Sequence, residues 1–144
     1  APWLEVAGLC ISAGGRPLLQ GLSFSLQAGG TLGLVGESGS GKSLTALAIA
    51  GLLPGGKQGF EVRGSIRLAG QEIIGAPETA LRALRGREIG FVFQEPMSAL
   101  NPLLRCGPQV AEAAGLRGAL ASQAAERLFA EMGLPEPRRI ARAY

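Results

Sequence analysis

The chain has 144 residues, 47% of them apolar, with 14 basic and 11 acidic side chains and a formal charge of +3. That length supports one modest domain with a real core, and the apolar content excludes wholesale disorder. The charge, spread over twelve arginines and two lysines, is too weak and dispersed to indicate a nucleic-acid partner.

The longest apolar run, LTALAIAGLL at residues 44–53, falls well short of the roughly 20 residues that cross a bilayer, so no direct membrane insertion is expected. The opening APWLEVAGLC lacks a basic segment followed by an apolar core and cleavage site, and a cytosolic setting is the expectation. Cys10 and Cys106 stand far apart and the chain has no histidine, so no zinc site is expected. All eleven acids are glutamates.

In chain order, residues 4–11 alternate loosely and residues 22–26 cleanly, predicting two strands around the turn-rich SAGGRP. Residues 31–36, TLGLVG, are continuously apolar and predict a strand covered on both faces. A helix over about 42–53 is apolar nearly all round and expected to be buried, with Pro54, Gly55 and Gly56 ending it. Residues 64–73 predict a strand, a turn at Ala69 and Gly70, and a partial return; residues 77–85 predict a short helix with Pro77 near its first turn.

EIGFVFQ, residues 88–94, is a second buried-strand candidate ending at a polar residue. Beyond Pro96 the composition turns alanine-rich, and helices are predicted over 107–115, over 119–132 and from Pro137 onward. In the second of these Leu120, Ala124, Leu128 and Met132 recur every four residues beside Phe129, with Gly133 as a stop. Arg138, Arg139 and Arg142 are expected to lie on a solvated helix face.

Gly36-x-x-x-x-Gly41-Lys42-Ser43 fits the phosphate-binding loop pattern, placed between a predicted buried strand and a helix as that pattern requires. Glycines let the backbone turn sharply and bring several N–H groups round a polyphosphate, where a Cβ would obstruct the approach. The helix that follows directs its positive pole at the same anion. Lys42 then supplies a point charge for the β- and γ-phosphates, and the Ser43 hydroxyl reaches Mg²⁺. The candidate nucleotide-binding set is Gly36, Glu37, Ser38, Gly39, Ser40, Gly41, Lys42, Ser43 and Thr45.

The segment Gly36-Glu37-Ser38-Gly39-Ser40-Gly41-Lys42-Ser43, followed by FQEPMSALNP at residues 93–102, resembles the ATP-binding subunits of ABC transporters. Within them it is most similar to the branch serving importers of oligopeptides, dipeptides and nickel. The resemblance implies an α/β fold of the P-loop NTPase class: an incomplete core sheet, an N-terminal antiparallel β layer and the start of a helical subdomain. It implies a nucleotide-binding core over residues 1–95 and helical residues over 96–144. It makes Gln94 the Q-loop glutamine, whose amide oxygen approaches Mg²⁺ or attacking water and senses the γ-phosphate. Lys42 and Gln94 are then the catalytic candidates, and Ser43 and Gln94 the metal-binding ones. Met97 and Leu100 are open to local packing or to a groove for a membrane-embedded permease.

ATP and Mg²⁺ are the implied cofactors. A second ATP-binding subunit and integral membrane permeases are the implied partners, which would hold the protein at the inner face of the cell membrane. The family's later signature segment, metal-binding aspartate and switch histidine have no counterpart in a chain without Asp or His. The expectation is a fragment of a longer protein, with negligible ATPase activity by itself. Family members stack adenine on an aromatic, and the nearest matching position here is Ala13, so weak nucleotide affinity is expected. A soluble ABC-type nucleotide-dependent switch or clamp is the alternative reading.

Overall fold

The computed structural model describes residues 1–54, 59–85, 87–95, 99–116 and 118–144, in two compact units, Ala1–Ile89 and Gly90–Tyr144. The expectations at Gly55, Gly56, Pro96 and Met97 lie outside the described residues. The α/β class and the N-terminal antiparallel layer read from the sequence are both present. No helix of the described residues is long and apolar enough to cross a membrane.

The first unit holds β1 (Leu4–Ala13), β2 (Arg16–Leu26), α1 (Lys42–Ile49), β3 (Phe60–Leu68), β4 (Gln71–Glu72) and α2 (Glu78–Arg85). The four strands form one antiparallel sheet in the order β2-β1-β3-β4. The turn expected across SAGGRP contracts to Gly14 and Gly15, at φ 54° and 75°. Both left-handed residues suit a two-residue hairpin loop, whose twist matches that of the flanking strands. β1 therefore runs on to Ala13 and β2 begins at Arg16, with Pro17 tolerated because β2 is an edge strand.

The loose alternation of β1 has a physical cause. Leu4, Val6, Leu9 and Ile11 are all buried, and the step of three between Val6 and Leu9 coincides with a register shift against both neighbouring strands. This bulge keeps two successive apolar pairs on one face. Opposite it Gly64 sits at φ 106°, where a Cβ would lie 2.6 Å from the Gly8 carbonyl oxygen and 2.7 Å from that of Ala7. Ile66, Leu68, Ala48, Ile73 and Leu84 complete the core beneath this face.

At the hairpin end, Ile11 pairs with Leu19 and Val62, and Ala13 pairs with Arg16 and Phe60. Ile11 and Ala13 are two residues apart on β1, as are Val62 and Phe60 on β3, whereas Leu19 and Arg16 are three apart on β2, where the register shifts between Ile11 and Ser12.

α1 is shorter than expected and buries one side only. Thr45 and Ala48 are buried while Ser43 and Ala46 are exposed. It stops not at Pro54 but at Gly51, at φ 62°, with the Gly51 amide donating to Ala48 O and the Leu52 amide to Leu47 O. That pair of bonds is a left-handed glycine cap.

Residues 31–36 form no strand, and Leu32, Leu34 and Val35 are exposed. Residues 88–94 likewise form none, with Val92 and Phe93 exposed. Both segments have the apolar character of covered strands, but a strand exists through its ladder hydrogen bonds, and among the described residues neither segment has a ladder partner.

The second unit contains α3 (Cys106–Ala113), α4 (Ala119–Glu131) and α5 (Pro137–Arg142). Its core is Ala111, Ala125, Phe129 and Ala141. Leu120 and Met132 of the four-residue stripe stay exposed, because the three helices approach through small residues. A Cβ on Gly107 would lie 2.7 Å from Ala141 O. Gly133, at φ 72°, closes α4 as expected, with the Leu134 amide donating to Phe129 O.

Two predictions follow from the sheet. Gly64→Ala forces a side chain into a left-handed position against two backbone carbonyls, and a loss of about 1–3 kcal/mol is expected, read as a lower urea midpoint. Glu72 supplies the second. Its carboxylate accepts hydrogen bonds from the Ser65 hydroxyl, from the Ile66 amide at 2.9 Å and from the Ile74 amide at 3.2 Å, with Arg67 Nε at 3.7 Å. Partial burial pushes its pKa up, but these partners outweigh burial and hold it below the ordinary 4.5. The carboxylate's stabilisation is therefore complete above the ordinary glutamate range and lost as pH falls through the lowered folded value. Glu72→Gln should lower stability near neutrality and flatten its acid dependence, as checked by urea titrations across that range.

Candidate phosphate-binding loop

Residues 36–43 connect an exposed extended segment to α1. Gly41 is the N-cap of α1 and adopts the left-handed region at φ 92°, ψ 6°; Gly39 also has positive φ, at 80°. Space as well as backbone angle limits the loop. A Cβ on Gly41 would stand 3.1 Å from Leu19 Cδ1 of β2, and one on Gly36 would stand 2.6 Å from Ser40 Oγ. The Ser40 amide closes a turn onto Glu37 O at 3.2 Å.

Thr45 fixes the loop to its helix. Its amide and its hydroxyl both donate to the Gly41 carbonyl, at 2.8 and 2.9 Å, and the residue is 1% exposed. The hydroxyl is thus turned back under the loop, away from the open side where residues 36–40 and Ser43 are exposed. No side chain caps the first turn of α1, and that turn contains no acid. Its unpaired N–H groups and positive pole are left for an external anion.

Lys42 completes the arrangement. Its Nζ donates to Gly36 O at 2.7 Å, to Glu37 O at 2.6 Å and to Ser40 Oγ at 3.3 Å. An ammonium has three hydrogens, so the loop's own oxygens draw the side chain into the arc. The single lysine among the described residues is held among the loop's oxygens, which joins a full positive charge to the partial charge of the helix end.

Sequence reasoning grouped Gly36, Glu37, Ser38, Gly39, Ser40, Gly41, Lys42, Ser43 and Thr45; all nine lie in the first unit, with the Thr45 hydroxyl bonded to Gly41 O and not turned to the open side. It missed the backing role of Leu18 and Leu19, whose nearest approach to Gly41 is a contact between residues far apart in the chain. Gln94 belongs to the second unit. There it lies at an exposed bend and lines an open concavity with Phe93, Glu95 and Ala99, beside the tilted Phe91–Phe93 ring pair at 4.7 Å between centroids. Gln109 was also missed. Its Oε1 accepts from the Asn101 amide at 2.7 Å and its Nε2 donates to Asn101 O and Leu104 O, both at 3.1 Å, tying residues 101–104 to α3.

Comparison with known proteins matches the family model described as ABC transporter over residues 19–143. The chain is 41% identical, over its whole length, to the oligopeptide transport ATP-binding protein OppD of Mycobacterium bovis, covering 24% of that protein. It is 38% identical to OppD of Bacillus subtilis over 94% of the chain and 40% of the relative. For OppD of Salmonella typhimurium the figures are 43%, 85% and 37%. The chain thus spans from about a quarter to two fifths of the length of these relatives. The matched region runs from β2 through the glycine loop into the last helix, and the chain belongs to the ABC transporter family.

Proposed function

We propose that this chain carries the phosphate-binding part of the ATP-binding subunit of an importer of the peptide or nickel type, which couples ATP binding and hydrolysis to transport. The observation that carries the reading is the loop of residues 36–43, with Lys42 Nζ gathered inside it and an uncapped helix behind it. The kinship with oligopeptide transport ATP-binding proteins supports the class of cargo. Residues 1–95 act as the nucleotide-binding core and residues 96–144 as helical subdomain.

The residues fit a triphosphate. Gly36 and Gly41 stand where a Cβ would meet Ser40 Oγ and Leu19 Cδ1, so the backbone holds a tight turn, and residues 36–40 lie open to solvent. Among the described residues no cluster of three or more His, Cys, Asp or Glu side chains is placed to hold a metal. The family reading has a divalent cation enter with the phosphates, and Ser43 and Gln94 are the residues that would hold it. Bound there, Mg²⁺ neutralises phosphate charge and polarises the bond to be broken.

The chain's own contributions are electrostatic. The amides of residues 36–43 surround phosphate oxygens, and Lys42 shares its hydrogens between the loop and the β- and γ-phosphates. Thr45 keeps the Gly41 turn rigid. Gln94 orients water toward the γ-phosphate, and its place at a bend suits a residue that reports whether that phosphate is present. A second ATP-binding subunit and membrane permeases complete the assembly at the inner face of the membrane.

Lys42→Ala in the full-length protein is the test. A hydrogen-bonded charge on phosphate is worth about 1.5–3 kcal/mol, so Mg-ATP affinity measured by calorimetry should fall about 10- to 100-fold. Gln94→Ala should instead leave affinity within a few-fold while reducing turnover. An unchanged affinity in Lys42→Ala contradicts the proposal.

A further inference from the structure

The turn that follows the glutamine segment takes its shape from one side chain. Residues 99–105 are all exposed, Leu103 at 82%, so no apolar core holds them. Within the turn the Leu104 amide donates to Asn101 O and the Leu103 amide to Asn101 Oδ1. Among the described residues, the side-chain bonds that tie this turn to α3 all come from Gln109. Its Oε1 accepts from the Asn101 amide at 2.7 Å, and its Nε2 donates to Asn101 O, Leu104 O and Arg105 O at 3.1, 3.1 and 3.3 Å. A primary amide has both donor and acceptor capacity, and here all of it goes to the backbone of residues 101–105.

Gln109 stands on a packed platform. In α3 Ala111 is fully buried, a Cβ on Gly107 would lie 2.7 Å from Ala141 O, and the Cys106 amide donates to Ala143 O at 2.9 Å. A side chain rooted in a packed helix places a loop more closely than loop residues place one another. Gln94 lies in the same unit, upstream of Asn101 in the chain. The clamp thus sets the downstream anchor of the stretch that carries Gln94. Without it the next anchor is the start of α3, and the span from Gln94 grows from about 7 to about 12 residues; a longer span leaves more places open to a residue at its far end.

We propose that Gln109 is a positioning residue for Gln94: its side-chain amide clamps the 101–105 turn to α3 and so narrows the positions open to Gln94. This rests on the reading of Gln94 above and adds the residue that holds its loop.

The experiment measures Mg-ATP affinity by calorimetry, and ATP turnover per titrated site, for the full-length protein in its transporter complex. Gln109→Met keeps the side chain's length and helix propensity and removes its hydrogen bonds. It is expected to lower turnover per site about three- to tenfold while leaving affinity within twofold. Gln109→Glu keeps the acceptor for the Asn101 amide but sets a carboxylate against three carbonyls, and a loss at least as large is expected. Because Gln109 acts through Gln94, Gln94→Ala combined with Gln109→Met should turn over no more slowly than Gln94→Ala alone. Unchanged turnover per site in either Gln109 variant overturns the proposal. So does a double variant whose losses multiply, which marks Gln109 as a general support of the fold. Gln94→Ala with wild-type turnover overturns the reading of Gln94 together with this proposal. Gln94→Ala slowed, with Gln109→Met at wild-type turnover, overturns this proposal alone.

Discussion

The loop depends on how α1 begins. Its backbone turns through a left-handed Gly41, whose carbonyl receives both the amide and the hydroxyl of Thr45. The hydroxyl bond is buried, so water does not compete for it. Leu19 closes the other side of the same glycine. Held from below by the helix and from the side by the sheet, the loop can expose residues 36–40 entirely and still keep one shape. Lys42 then takes its position from the loop's own oxygens. Without the fixed turn, neither the ammonium nor the free amides of α1 would converge on one place.

This arrangement explains why the sheet matters to a site that contains no strand residue from the motif. The bulge opposite Gly64 keeps Leu9 and Ile11 on the core face. Ile11 is paired with Leu19, and Leu19 packs over Gly41. A register slip in β1 would turn Ile11 outward and remove that support. Stability in the sheet and geometry in the loop are thus two consequences of one alternation pattern.

The loop was legible because its requirements are local: glycines at fixed offsets, a lysine and a hydroxyl at a helix start. The hairpin glycines, the alanine-rich helices and the Gly133 stop were legible for the same reason. Less was visible where a long-range partner decides. Residues 31–36 and 88–94 have the composition of covered strands, yet composition specifies a burial environment and not a ladder, and the described residues supply no ladder there. In α4 the eye goes to leucine and methionine, whereas close approach selects Ala125 for the interior, beside Phe129. The support that Leu19 gives Gly41 and the bonds from Gln109 to Asn101 join residues whose adjacency no short pattern announces.

The most direct measurement is a crystal structure of the full-length protein with Mg²⁺ and a non-hydrolysable ATP analogue. The account predicts β- and γ-phosphate oxygens within hydrogen-bond distance of Lys42 Nζ and of the backbone amides of residues 36–43, with the Thr45–Gly41 bonds intact. Phosphates seated elsewhere, or a loop that closes on itself with Lys42 still committed wholly to the Gly36 and Glu37 carbonyls, would contradict it.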